Sequence, residues 1–136
     1  MLFILPVLLG AAPPVGVTAQ NPWMRYLLPS VPAGGYLTLR NDSDNPAVLT
    51  GASSPACGSL MLHQSETMSG MSRMVMVPSV TVPAHGTVSF AEGGYHLMCM
   101  KPTMKLGDKI SVTLTFQDGS TLPLTMPVYG PSGPGQ

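Results

Sequence analysis

The sequence is short of charge. Only 9% of its 136 residues are Asp, Glu, Lys or Arg, against roughly 25% in an ordinary globular domain. Six basic and six acidic residues cancel, so no cationic excess exists to hold nucleic acid or an anionic bilayer. No like-charge block marks a disordered arm. Disorder throughout does not fit either, because it requires low hydrophobicity with high charge and 44% of residues are hydrophobic. There are only two cysteines, Cys57 and Cys99, which is neither a CxxC nor a zinc-finger spacing. Without CxxC, a thiol-disulfide enzyme lacks its reactive thiolate. Six scattered acids offer no readable Ser-His-acid triad or paired carboxylates, so hydrolase chemistry has no support.

Proline, glycine and methionine stand in for the charge, at 15, 15 and 11 residues. Pro and Gly spread along the whole chain argue against a helical bundle. Eight of the methionines fall between Met61 and Met104, which is the compositional anomaly.

Met1 to Gly16 is nearly all apolar, and no charge occurs before Arg25. The run is shorter than the roughly 20 residues needed to span a bilayer, and Pro6, Pro13 and Pro14 weaken it as a helix. It reads as the apolar region of a secretory signal, though no basic residues precede it. Val17-Thr18-Ala19 has the small-x-small form of a cleavage site. The expected organisation is a signal over 1–19, one domain over 20–128 and a mobile tail over 129–136. An uncleaved N-terminal anchor, or a cytosolic protein with an apolar N-terminal strand, are the alternatives. With a signal or an anchor the domain is expected in the periplasm or another extracytoplasmic space. There Cys57 and Cys99 can pair as a disulfide, or they stand as two buried thiols.

Short alternating runs recur between turn signals: 36–40, 47–52, 60–65, 73–77, 87–90, 95–100, 109–116 and 121–128. Such spacing predicts an all-β antiparallel sandwich or barrel. Asp118-Gly119, between Val112-x-Leu114-x-Phe116 and Leu122-x-Leu124, is the clearest hairpin signal.

Two of the three histidines lie in methionine-rich runs, Met61-Leu62-His63 and His96-Leu97-Met98-Cys99-Met100. A third run reads Met74-Val75-Met76. Alternation gives His and Met one strand face and Leu62, Val75, Leu97 and Cys99 the other. Aliphatic residues and Cys suit the core, which turns Met61, His63, Met74, Met76, His96, Met98 and Met100 outward. Any single Met in a strand is most often core filler. An outward Met stripe sharing its face with two histidines is different, since thioether plus imidazole is a soft donor set that selects Cu(I). Zinc prefers thiolate, imidazole and carboxylate. A blue-copper centre needs two His and one Cys with a weak Met, and no His follows Cys99. His85, between Ala84 and Gly86, reads as an ordinary turn residue.

The spacing His63-x10-Met74-x21-His96-x-Met98 resembles the full motif of the bacterial periplasmic copper chaperones of the PCu(A)C type. Pro32-Ala33-Gly34-Gly35-Tyr36-Leu37-Thr38-Leu39-Arg40-Asn41 is similar to the family's first core strand, and Val82-Pro83-Ala84-x-Gly86-Thr87-Val88 with Gly93-Gly94-Tyr95-His96-Leu97-Met98 to its second half. Trp23 stands where the family carries an early Trp. The resemblance covers roughly Trp23 to Met126.

It implies an eight-to-nine-stranded, cupredoxin-like Greek-key sandwich. It also implies a monomer that binds one Cu(I) through His63, Met74, His96 and Met98, with Cu(II) as a secondary state. The implied acceptor is the CuA domain of cytochrome c oxidase subunit II, with a Sco-type protein as partner. Met61, Met68, Met71, Met76 and Met100 offer further thioethers beyond the motif. Cys57 and Cys99 lie outside it. The expected role is that of a carrier with no catalytic step, docking through an apolar surface low in charge. Copper storage or resistance, or a metal-free envelope module, are the alternatives.

Overall fold

The computed structural model describes residues 12–134, and for Met68 the backbone only. Residues 1–11 of the expected signal lie outside the described residues. Ten strands and no helix occur among them: β1 Val17–Arg25, β2 Ala33–Asn41, β3 Ala47–Ser53, β4 Ser59–Met68, β5 Met71–Met76, β6 Val80–Val82, β7 Gly86–Phe90, β8 Tyr95–Met100, β9 Lys109–Phe116 and β10 Thr121–Tyr129.

The strands form the cupredoxin-like sandwich. One sheet runs β5-β4-β8-β7-β2-β1 and the other β10-β9-β3-β6. A short parallel seam, Met24 to Val128 and Arg25 to Tyr129, joins them. β2 serves two partners. Its first half, Ala33–Gly35, pairs with β8, and its second half, Leu37–Asn41, with β7. Period-2 alternation drives the packing: β2 buries every odd residue and β9 every even one. Leu37, Leu39, Leu62 and Leu97 of the first sheet share one core with Leu49, Val82, Val112, Leu114 and Met126 of the second. Turn chemistry fits as well. Ser69 and Gly70 both have positive φ, 52° and 78°, as the two-residue turn joining β4 to β5 requires. The Asp118-Gly119 hairpin forms as expected between β9 and β10.

Two strands exceed the expectation. β6 is only three residues long. β1 escapes a period-2 reading because it carries a bulge. Its register against β2 shifts between Gln20 and Trp23, and Asn21 takes φ 52°. Val17 is buried before the bulge and Met24 after it, so the alternation changes phase inside the strand. β1 begins at Val17, so a cut after Ala19 would remove three residues that pair with Leu39, Arg40 and Asn41. At the other end, Tyr129, assigned by sequence to the tail, is the last residue of β10. Cys57 and Cys99 form a disulfide that ties the segment before β4 to β8.

Candidate metal centre

Strand register builds the site. On β4 and β8, His63 stands directly opposite His96, and Met61 opposite Met98. Their ring centroids are 5.6 Å apart. On the far side of β4, Met76 of β5 is opposite His63, and Met74 is opposite Ser65. On the far side of β8, Gly34 of β2 is opposite Met98. Directly opposed residues share a face, so His63, Met74, His96 and Met98 lie together on the outer face of three adjacent strands. Leu62, Leu97 and Cys99 alternate into the core and are buried, which leaves Cys99 no route to act as a thiolate ligand.

The face is less open than its sequence suggests. Met74 and Met76 are 61% and 67% exposed, but His96 is only 4% exposed, and His63 is half-buried. Cover comes from elements far away in sequence. Arg25, Tyr36 and Glu92 wall a cleft of about 230 Å³ that Met74, His96 and Met98 also line. These three wall residues were not legible as site residues. The surroundings, expected to be low in charge, hold one ion pair. The Arg25 guanidinium holds Glu92 through both carboxylate oxygens at 3.2 Å. It packs 5.5 Å over Trp23 and 5.4 Å over Tyr36. Glu92 holds the Arg25 pKa above its ordinary value, and Arg25 holds that of Glu92 below. The pair is neutral as a unit, so it walls the cleft without placing a net charge there.

The polar atoms of the site point to a metal. His96 Nδ1 lies 3.4 Å from the Gly94 carbonyl oxygen. A long hydrogen bond there puts the proton on Nδ1 and leaves the Nε2 lone pair free. His96 Nε2 is buried with no partner, and so is His63 Nδ1. Buried polar atoms are nearly always satisfied, and two orphaned imidazole nitrogens on rings packed edge to face, 5.6 Å between centroids, are the expected signature of a shared ligand. Desolvation pushes both histidines below their ordinary pKa, and for His96 the nearby His63 adds to the effect. Both are therefore neutral and competent to ligate at physiological pH. No three His, Cys, Asp or Glu side chains converge among the described residues, so a zinc-type site is not built. The remaining donors are thioethers, which fits Cu(I).

The extra methionines differ in placement. Met61 and Met76 share the histidine face. Met100, opposite Ser59, lies one row beyond Met61 and Met98. Met71 has the strand parity of Arg73 and Val75, opposite to Met74 and Met76, and pairs with Met68 at the hairpin end. His85 Nε2 contacts Asp44 Oδ1 at 2.7 Å and takes no part in the site.

Residues 17–128 match the family model described as "Putative lipoprotein LpqE-like". The chain belongs to this family. One relative, "Putative lipoprotein Lxx21020" of Leifsonia xyli subsp. xyli (strain CTCB07), is 37% identical over 87% of this chain and 72% of its own length. The solution structure of the Cu(I) form of DR1885 from Deinococcus radiodurans is 37% identical, with TM-score 0.65 over 88% of this chain and 80% of that one. The copper-bound PCuAC domain from PmoF2 has TM-score 0.70 over 85% and 94% of the two chains, and at 22% identity it speaks for the fold alone. The resemblance to PCu(A)C-type copper chaperones is thus met, in family and in fold.

Proposed function

We propose that this LpqE-like protein carries one Cu(I) on His63, Met74, His96 and Met98 outside the cytoplasm and delivers it to the CuA domain of cytochrome c oxidase subunit II, with a Sco-type partner. The observation that carries copper binding is the pair of buried, unpartnered imidazole nitrogens on two neighbouring rings, with centroids 5.6 Å apart, on a face that also carries thioethers. The family's lipoprotein description supports export, with the chain tethered by the residues before β1. The acceptor follows from resemblance to the copper chaperone family.

The protein transforms nothing, and copper is its cargo. Two neutral histidines and two thioethers add no negative charge, so the loaded site keeps the single positive charge of the ion. His96, oriented by Gly94, is the fixed ligand. An acceptor entering the cleft replaces the thioethers one at a time, and no proton has to move because thioethers carry none. Cu(II) remains a secondary state, since it would rely on the two imidazoles.

Cu(I) titration of the purified domain with X-ray absorption should show one copper with mixed sulfur and nitrogen ligation. A shell without sulfur, or binding no tighter than micromolar, would refute the site. Transfer to an apo CuA fragment, followed spectroscopically, tests the acceptor. Failure to transfer from a loaded domain would favour storage or resistance.

A further inference from the structure

The motif accounts for Met74 but not for Met76. Met76 is the donor directly opposite His63 in the β4–β5 ladder, whereas Met74 is two residues away, opposite Ser65. Directly opposed Cβ atoms lie about 5 Å apart, and diagonal neighbours somewhat farther. A thioether and an imidazole can therefore meet on one ion from these positions. Met76 is 67% exposed and stands at the end of its strand, where the bond from Val77 N–H to the Leu62 carbonyl is followed by Pro78. It does not line the cleft shared by Met74, His96 and Met98. With Met61 it borders a separate depression of about 370 Å³. Leaving a Met side chain in water forgoes the free energy of burying it, which sets a solvent-facing thioether beside a buried histidine apart from core filler.

The two histidines also differ. His96 is anchored to Gly94. No hydrogen bond holds the His63 ring among the described residues, and its Nδ1 is unpartnered. One row across the sheet therefore reads Met76, His63, His96, running from exposed donor through unanchored donor to anchored, buried donor.

Resting on the copper reading above, we infer that Met76 is a loading ligand: its exposed thioether receives Cu(I) from the donor and passes it through His63 to the buried site, without belonging to the resident ligand set. Each step is a ligand exchange. The Met76 Sδ lone pair forms a bond to Cu(I) as a donor ligand leaves, and that bond breaks as the resident ligands close. Copper stays Cu(I) and no proton moves. Met61, opposite Met98 on the same face, extends this outer soft surface.

The test is stopped-flow transfer of Cu(I) from its bicinchoninate complex to the apo protein, read by the loss of the complex's absorbance. Alongside runs an equilibrium competition for affinity. Met76→Leu should load at least fivefold more slowly with affinity within about twofold of wild type. Release to the chelator should then slow by the same factor. Met74→Leu should instead lose affinity. Met71→Leu, equally exposed but of opposite parity, should load at the wild-type rate. Wild-type loading by Met76→Leu would overturn the inference, as would an affinity loss matching that of Met74→Leu or equal slowing in Met71→Leu. A wild-type protein that takes up no Cu(I) would refute the copper reading itself.

Discussion

The Cys57–Cys99 disulfide closes a loop with a sequence separation of 42. Such a bridge removes unfolded-chain entropy worth about 4 kcal/mol in the loop-closure model. A domain of about 120 residues loses roughly 0.25 kcal/mol of stability per degree near its midpoint, so removing the bridge should lower Tm by about 15 °C. Cys99 is fully buried against Ala33 and Leu60 on the neighbouring strands, and Ala is small enough to replace it without strain. Cys57→Ala/Cys99→Ala and reduced wild type should therefore melt close together, well below the oxidised protein, in calorimetry or circular dichroism. Because Cys99 alternates away from His96 and Met98, Cu(I) affinity of the double variant measured below its melting point should stay within about twofold. A Tm drop of less than 4 °C would refute the entropic account. A tenfold affinity loss would refute the assignment of the cysteines to structure alone.

Three further outcomes follow from the geometry. Burial holds the folded pKa of His63 and His96 below 6.5, so on acidification the unfolded chain takes up protons first. Their contribution to apo stability is complete above about pH 6.5 and is lost as pH falls through the folded values. Apo melting temperatures from pH 8 to 5 should show that decline, and His63→Gln/His96→Gln should flatten it; an equal slope in the variant would be a refutation. Asn41 is fully buried; its Nδ2 donates to the carbonyls of Asn45 and Val82 and its Oδ1 accepts from Ser43. Asn41→Ala strands those groups and should cost about 2–4 kcal/mol in urea unfolding; a loss below 1 would mean that water replaces the side chain. A Cβ on Gly34 would sit 3.1 Å from Tyr36 Oη, and Tyr36 packs 5.0 Å from Trp23, the only tryptophan. Gly34→Ala should shift the tryptophan emission; an unchanged spectrum would show that Tyr36 does not move.

The shared face of the candidate ligands was legible because it depends on parity. His63, His96 and Met98 keep strict alternation with Leu62, Leu97 and Cys99, so strand assignment alone put them on one face. β1 was hidden for the converse reason. Its inward positions run Val17, Ala19, then Met24, a phase slip that no period-2 reading follows, and its first residues also have the form of a cleavage site. The cleft wall was illegible for another reason. Arg25 and Glu92 are 67 residues apart, and only the crossing of β1 with the turn before β8 brings them together. For the same reason the sequence predicted an open face, while the fold buries His96.

The direction of β1 has a consequence for orientation. Its first residue, Val17, and its last, Arg25, lie at opposite ends of a nine-residue strand, about 25 Å apart at the usual rise. The cleft is at the Arg25 end. For a chain held at a membrane by the residues before Val17, as proposed above, the candidate metal centre is carried away from the lipid and faces outward. A partner can then dock from above without competing with the bilayer for that surface.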